Sequence, residues 1–277
     1  MECETSLLAI EFSIRIFDHY NLNKKSFNPI TRKFYNSNYT SGYNIVKILY
    51  SCPYYSTNTC IGAIYHNEEK NYHIITFRGT QETFEWMNNL NVKQEILKFE
   101  NSNNLNESFI AHKGYIDLYK QIDNDIQEYI KEKTNEDSTI IICGHSLGGA
   151  LSILTSIYIL NNTKNRKINL IVFGAPKIVS SNVKDFIEKH SNIVISYHRE
   201  TDPVPKSILF NKYHHVGEII QLSSYGHYWW QYPLCHEMNF YYKGICDLFK
   251  IDDYKILCRF EIPKYLRFIN KIVTINP

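Results

Sequence analysis

Nowhere in this sequence do apolar residues run for the roughly 18 positions that a membrane-crossing helix needs. The longest candidate, around 147–160, is interrupted by Ser, Thr, Tyr and a Gly pair. The chain is therefore expected to be soluble, with at most transient contact at a membrane surface. An excess of one charge is also lacking, since 30 Lys and Arg stand against 28 Asp and Glu. Without a strong basic field, nucleic acid is not an expected partner. The opening MECETSLLAIEFSIRIF has acids where an export leader needs a basic head, and no small-residue cleavage site follows it. The seven cysteines, at 3, 52, 60, 143, 235, 246 and 258, are odd in number and have no short paired spacing. Both features lead to the expectation of a cytoplasmic or intracellular protein, peripheral at membranes at most, with a Cys52 to Cys60 disulfide as the alternative. The N-x-[ST] triplets at Asn38, Asn106 and Asn161 carry little weight in so Asn-rich a chain. No compact metal-ligand set is present, because His236-Glu237 lacks a second His four residues on. Neither a metal nor a cofactor is expected. No internal repeat or clean linker divides the chain.

What is present fits one enzyme-sized domain spanning 1–277, since 44% of the residues are hydrophobic and can fill a large core. Leu7, Leu8, Ile10, Ile14 and Phe17 predict an N-terminal helix covering one face of a sheet. Residues 24–44 are polar and unpatterned. CIGAIYH at 60–66 and YHIITFRG at 72–79 read as a hairpin or adjacent strands. An amphipathic, helix-like segment spans 81–98, and Tyr115, Leu118, Ile122, Ile126 and Ile130 predict a helix over 114–133. From 139 the pattern alternates between apolar strand and helix: strand 139–143, a helix beginning near 147, strand 168–176, helix 181–190 and a strand starting near 192. This order predicts an α/β fold with a mainly parallel central sheet and helices on both faces. The segment 216–222 alternates as an edge strand.

The strongest chemical signal is Gly144-His145-Ser146-Leu147-Gly148, a G-x-S-x-G between a strand and a helix. In that context the glycines allow a sharp turn, and the turn exposes Ser146 Oγ above the sheet at a helix N-terminus. A serine nucleophile needs a base, and the base needs an orienting carboxylate. Asp202, in Thr201-Asp202-Pro203-Val204-Pro205, follows a strand at the expected place in the order Ser, Asp, His, whereas Asp185 and Asp247 fall on a surface helix and in the tail. For the base, His198 precedes the acid, and at most one of His214 and His215 can point inward. Residue order alone leaves His227 and His236.

These residues carry a resemblance. The chain resembles the class 3 lipases, a family of fungal triacylglycerol lipases with plant phospholipase A1 and diacylglycerol lipase relatives. The likeness covers about 60–240 and rests on ordered blocks: ITFRGT at 75–80 with Trp86 and Leu90, AHKGY at 111–115, GHSLGGAL, IVFGAPKI, and YHRETDPVP followed by YHHVGEII. The resemblance implies an α/β-hydrolase fold with the N-terminal helix and C-terminal tail packed on its core. It selects His236, which precedes Tyr241 and Tyr242, as the catalytic base over His227, and it makes His215 structural. It also implies an oxyanion hole built from the N–H groups of Thr80 and Leu147, with Arg78 either bracing the Thr80 loop or forming a surface salt bridge. The family's lid would fall after Thr80, where Phe84, Trp86, Met87 and Leu90 would supply its apolar face; the equal alternative is that Trp86 and Leu90 are ordinary core anchors.

The expectation is a carboxylic-ester hydrolase (EC 3.1.1.-) using Ser146, His236 and Asp202 on an acyl ester of a glycerolipid. Its rivals are a small-ester or peptide hydrolase, an acyltransferase with the same triad, and a non-catalytic lipid-binding protein. Oligomeric state, head group and acyl-chain preference are not legible.

Overall fold

A computed structural model describes residues 2–23, 39–51, 59–79, 93–97, 109–163, 166–207, 212–224 and 234–251. The sheet owes its shape to strands whose apolar residues face both ways. In β6 (Thr139–His145), Ile140 and Ile142 belong to one buried cluster, and Ile141 and Cys143 to the other. In β7 (Lys167–Phe173), Ile168, Leu170 and Val172 divide from Ile171 and Phe173 in the same way. Such two-sided strands must be covered on both faces, as parallel strands usually are. They occupy the middle of a seven-stranded sheet with the order β1-β2-β3-β6-β7-β8-β9. Its other members are β1 (Asn44–Ser51), β2 (Thr59–Asn67), β3 (Tyr72–Phe77), β8 (Ile193–Arg199) and β9 (Glu218–Leu222). The first three strands pair antiparallel as a meander, and every pairing from β3 to β9 is parallel. The architecture is that of an α/β-hydrolase, as expected.

One face is covered by α2 (Lys113–Tyr119), α3 (Asp123–Lys133), α4 (Leu147–Asn162) and α5 (Ser181–His190). The other is covered by α1 (Glu2–Asn23) and α6 (Met238–Leu248), which pack on each other as well as on the sheet. No helix of the described residues is long and apolar enough to cross a membrane. The expected N-terminal helix is present, but it is buried more completely than one stripe requires. Thr5, Ser6, Glu11 and Ser13 lie inside with the apolar positions, and Ser13 Oγ donates to Ala9 O while Tyr197 Oη donates to Ser6 Oγ. Phe12 anchors α1, fully buried with its ring 4.5 Å from that of Tyr65 and 5.1 Å from that of Tyr43. Phe12→Ala should cost about 3–5 kcal/mol of stability by leaving a cavity. Urea unfolding measures this, and a loss within the error of the method would show that α1 is not part of the cooperative core.

Two expectations change. The helix over 114–133 is two helices, broken at residues 120–122, where Ile122 leaves helical geometry with φ −120° and ψ −4°. The apolar periodicity survives the break because Leu118, Ile122 and Ile126 all stay buried against the same face. The amphipathic segment 81–98 is not helical at its end: β4 (Gln94–Ile96) pairs antiparallel with β5 (Ile110–His112), leaving Ile96 exposed and Leu97 buried. The strand β1 had no strong sequence signal because, at an edge, it has a mixed burial pattern and two register irregularities.

Candidate active site

Ser146 stands between β6 and α4 with φ 58° and ψ −121°, a backbone conformation that L residues rarely adopt and that costs roughly 1–3 kcal/mol. Two glycines make the turn sterically feasible. A Cβ on Gly144 would lie 2.4 Å from the Gly148 carbonyl, and one on Gly148 would lie 2.2 Å from Phe77 O. Ser146 N–H donates to Phe173 O at 2.9 Å, and its carbonyl accepts from Ala150 N at 3.2 Å, which starts the helix. Ser146 is 1% exposed, and its Oγ has no hydrogen-bond partner among the described residues. Leu147, the first residue of α4, is in the first turn, where backbone N–H groups have no intrahelical acceptor and favour negative charge.

Asp202 follows β8 and is completely buried. Its Oδ1 accepts from Val204 N–H at 2.8 Å, an Asx turn closed around Pro203, which has no N–H to compete. Its Oδ2 accepts from His236 Nδ1 at 2.6 Å and from Tyr241 Oη at 2.5 Å. Burial, and then the Asp202 charge, push the Tyr241 phenol well above its ordinary pKa, so it remains a donor. His236 ends a short 3-10 turn, Leu234–His236, just ahead of α6. Because the Asp202 carboxylate accepts a hydrogen bond from Nδ1–H, the neutral His236 ring carries its lone pair on Nε2. The His145 ring lies against that of His236, with centroids 4.4 Å apart, which brings the serine turn and the base together. Burial, reinforced by His236, drives the His145 pKa well down, so this neighbour stays neutral and does not oppose a charged His236.

The structure thus brings Ser146, Asp202 and His236 to the carboxyl end of the sheet. His145, Tyr241 and Arg199 were not assigned roles from sequence, although Tyr241 was visible as the aromatic that follows the histidine. Thr80 and the candidate lid residues Phe84, Trp86, Met87 and Leu90 lie outside the described residues, as does His227. Arg78 is buried and donates from Nε to Cys60 O at 2.7 Å and from Nη1 to Gly79 O at 2.8 Å. His215 binds Pro205 O through Nε2 at 3.0 Å, behind the acid loop, and its ring meets that of His198 at 4.4 Å. Among the described residues no three His, Cys, Asp or Glu side chains gather as a metal site.

The family model for Lipase (class 3) matches residues 74–212, just over half of the chain. The chain belongs to the class 3 lipase family. Among curated relatives of this class 3 lipase, phospholipase A1-IIbeta of Arabidopsis thaliana is 27% identical over 54% of the chain, which spans 42% of that protein's length. "Secreted mono- and diacylglycerol lipase 1" of Fusarium solani is 22% identical over 54% of the chain and 44% of its own length. In fold, the chain superposes on lipase II from Rhizopus niveus with a TM-score of 0.60, 15% identity and 80% of each chain covered. The Rhizomucor miehei triacylglyceride lipase gives 0.57, 17% identity, 80% of this chain and 78% of that one.

These relatives correct one expectation. The fold is that of fungal lipases, and the Fusarium solani relative is by name a secreted enzyme, which overturns the expected cytoplasmic or intracellular location. The cysteine pattern misled because Cys60 and Cys143 are buried thiols in no disulfide. Unbridged buried thiols are compatible with an oxidising space as well as with a reducing one.

Burial also sets the response of this class 3 lipase to acid. It lowers the pKa of His73, His112 and His198 from 6.5 to about 4 and that of His215 to about 3, with His66 adding to the effect at His73 and His198 adding at His215. The unfolded chain therefore takes up protons that the folded chain refuses. Stability is complete above pH 6.5, falls as the pH drops from there towards about 4, by up to about 1.4 kcal/mol per pH unit per histidine, and levels off below the folded values. Urea midpoints at pH 7 and pH 4 measure the loss; equal midpoints would contradict it.

Proposed function

We propose that this protein hydrolyses acyl esters of glycerolipids through an acyl-enzyme formed on Ser146. The observation that carries this reading is the buried Asp202–His236 pair, joined at 2.6 Å beside a serine on a strained strand-to-helix turn. His236 Nε2 takes the hydroxyl proton as Ser146 Oγ attacks the ester carbonyl. The Asp202 carboxylate holds the ring in the Nδ1–H tautomer and stabilises its imidazolium. The negative charge on the tetrahedral intermediate is met by Leu147 N–H at the α4 N-terminus and, following the family resemblance, by Thr80 N–H. His236 then protonates the departing alcohol, the C–O bond breaks, and the acyl group remains on Ser146. A water gives its proton to His236, attacks the acyl carbon and releases the acid, and the proton returns to Ser146.

The names of the relatives favour a glycerolipid but divide between phospholipase A1 and acylglycerol lipase. Burial of Ser146 means that a substrate carbonyl reaches Oγ only after neighbouring groups move aside, which is consistent with catalysis at a lipid surface. The test is hydrolysis of a medium-chain p-nitrophenyl ester through its solubility limit, in parallel with phosphatidylcholine vesicles and dispersed diacylglycerol. A rise in rate once the ester aggregates, together with fatty acid released from one of the two lipids, supports the proposal. Saturation on soluble ester with neither lipid cleaved identifies a small-ester hydrolase instead.

A further inference from the structure

Arg199 closes β8 and is the largest fully buried side chain of the described residues. A guanidinium cannot shed its charge in a protein, so its burial is tolerated only where acceptors surround it. Among the described residues, the acceptors include backbone carbonyls from two separate segments. Nη1 donates to Cys235 O at 2.7 Å, Nη2 to Ser224 O at 2.7 Å, and Nε to Ser223 O at 3.4 Å. The Arg199 Cζ lies 4.9 Å from the centroid of the Phe240 ring, on the first turns of α6. Cys235 immediately precedes His236, and Ser223 and Ser224 immediately follow β9. The main chain of the same residue serves the acid: Arg199 O accepts from Asp202 N at 3.1 Å, and Arg199 N–H reaches the Tyr241 hydroxyl, which itself donates to Asp202.

We infer that Arg199 is a positioning residue whose guanidinium clamps the main chain entering His236 to the chain leaving β9, and so holds the His236 ring on Asp202. This rests on the triad reading of Ser146, His236 and Asp202. Arginine is specifically required, because a flat fork of five donors spans carbonyls on two segments whereas an ammonium is a single point of charge. Arg199 itself touches no reacting atom; it acts through the base.

Two variants test the clamp. R199K keeps the charge and loses the fork, and R199Q keeps a planar donor head but is short and neutral. Each is compared with wild type by melting temperature, by kcat and KM on a soluble p-nitrophenyl ester, and by the far-downfield proton resonance of His236 Nδ1–H, assigned through its loss in H236Q. The clamp predicts folded variants with kcat reduced about 100-fold by misplacement of the base and KM changed less than about twofold. It also predicts a weakened or displaced resonance. Wild-type kcat, or a fall in kcat with an unchanged resonance, would overturn it, since Arg199 would then not act through His236. Should R199Q fail to fold, R199K gives the same readouts; unfolding of both would make Arg199 a general stabiliser and also overturn the inference. A wild type without ester hydrolysis would defeat the triad reading instead, and the resonance would still decide the clamp.

Discussion

Ser146→Ala is expected to lower kcat by about 10⁶-fold, to the residual rate that binding and oxyanion stabilisation alone provide. The substitution removes one oxygen and little else. Ser146 Oγ has no hydrogen-bond partner among the described residues, so no packed interaction is lost with it. The main-chain bonds to Phe173 O and from Ala150 N, which hold the turn and start α4, are unaffected. Alanine meets the same unfavourable φ of 58° as serine, so the melting temperature should stay close to that of wild type. Ester hydrolysis and a thermal melt on the same preparation measure both quantities. Residual activity near wild type in a folded Ser146→Ala protein would remove Ser146 from the chemistry.

Asp202→Asn should be the second most damaging change, with kcat reduced about 10⁴-fold and KM little altered. The carboxylate accepts three donors, from His236, Tyr241 and Val204. An amide in its place offers only one acceptor oxygen. Val204 N–H is a fixed donor at the Oδ1 position, so the amide oxygen stays there and the NH₂ takes the Oδ2 position facing His236 Nδ1, which must then accept. The imidazole proton moves to Nε2, and the base has no lone pair left for the serine. Raising the pH would not restore activity, because the defect is one of tautomer and not of charge. Full pH profiles of kcat for the two proteins measure this, and near-wild-type kcat in a folded Asp202→Asn protein would contradict it.

Much of the molecule was legible because its central elements are locally self-consistent. The apolar runs of β6, β7 and β8 and the glycines around Ser146 each indicate one structure, and the sheet realises it. Asp202 was legible because Asp-Pro-Val-Pro can form only a narrow set of turns, one of which is the Asx turn found. His236 was not fixed by residue order, since nothing local distinguishes one histidine from another in a chain with several downstream. What singles it out is the distant carboxylate it meets, a tertiary fact that only the family resemblance anticipated. Arg199 was hidden for a related reason. A basic residue at a strand end ordinarily reaches solvent, whereas here residues 223–224 and 235 fold back onto its donors. The break at 120–122 leaves no mark on the apolar periodicity, because both helices keep the same apolar face inward. The compartment is not legible from cysteine count, because buried thiols such as Cys60 and Cys143 are compatible with either redox environment.

Whether Ser146 is an activated nucleophile is tested most directly by reaction of the full chain with an alkyl fluorophosphonate in detergent micelles, followed by peptide mapping. Fluoride leaves as serine oxygen bonds to phosphorus, and only an activated serine reacts at low reagent concentration. One label per chain is expected, on the peptide carrying Gly144-His145-Ser146-Leu147-Gly148, absent in Ser146→Ala and nearly absent in folded His236→Ala. Labelling of a different serine, or undiminished labelling of Ser146 without His236, would contradict it.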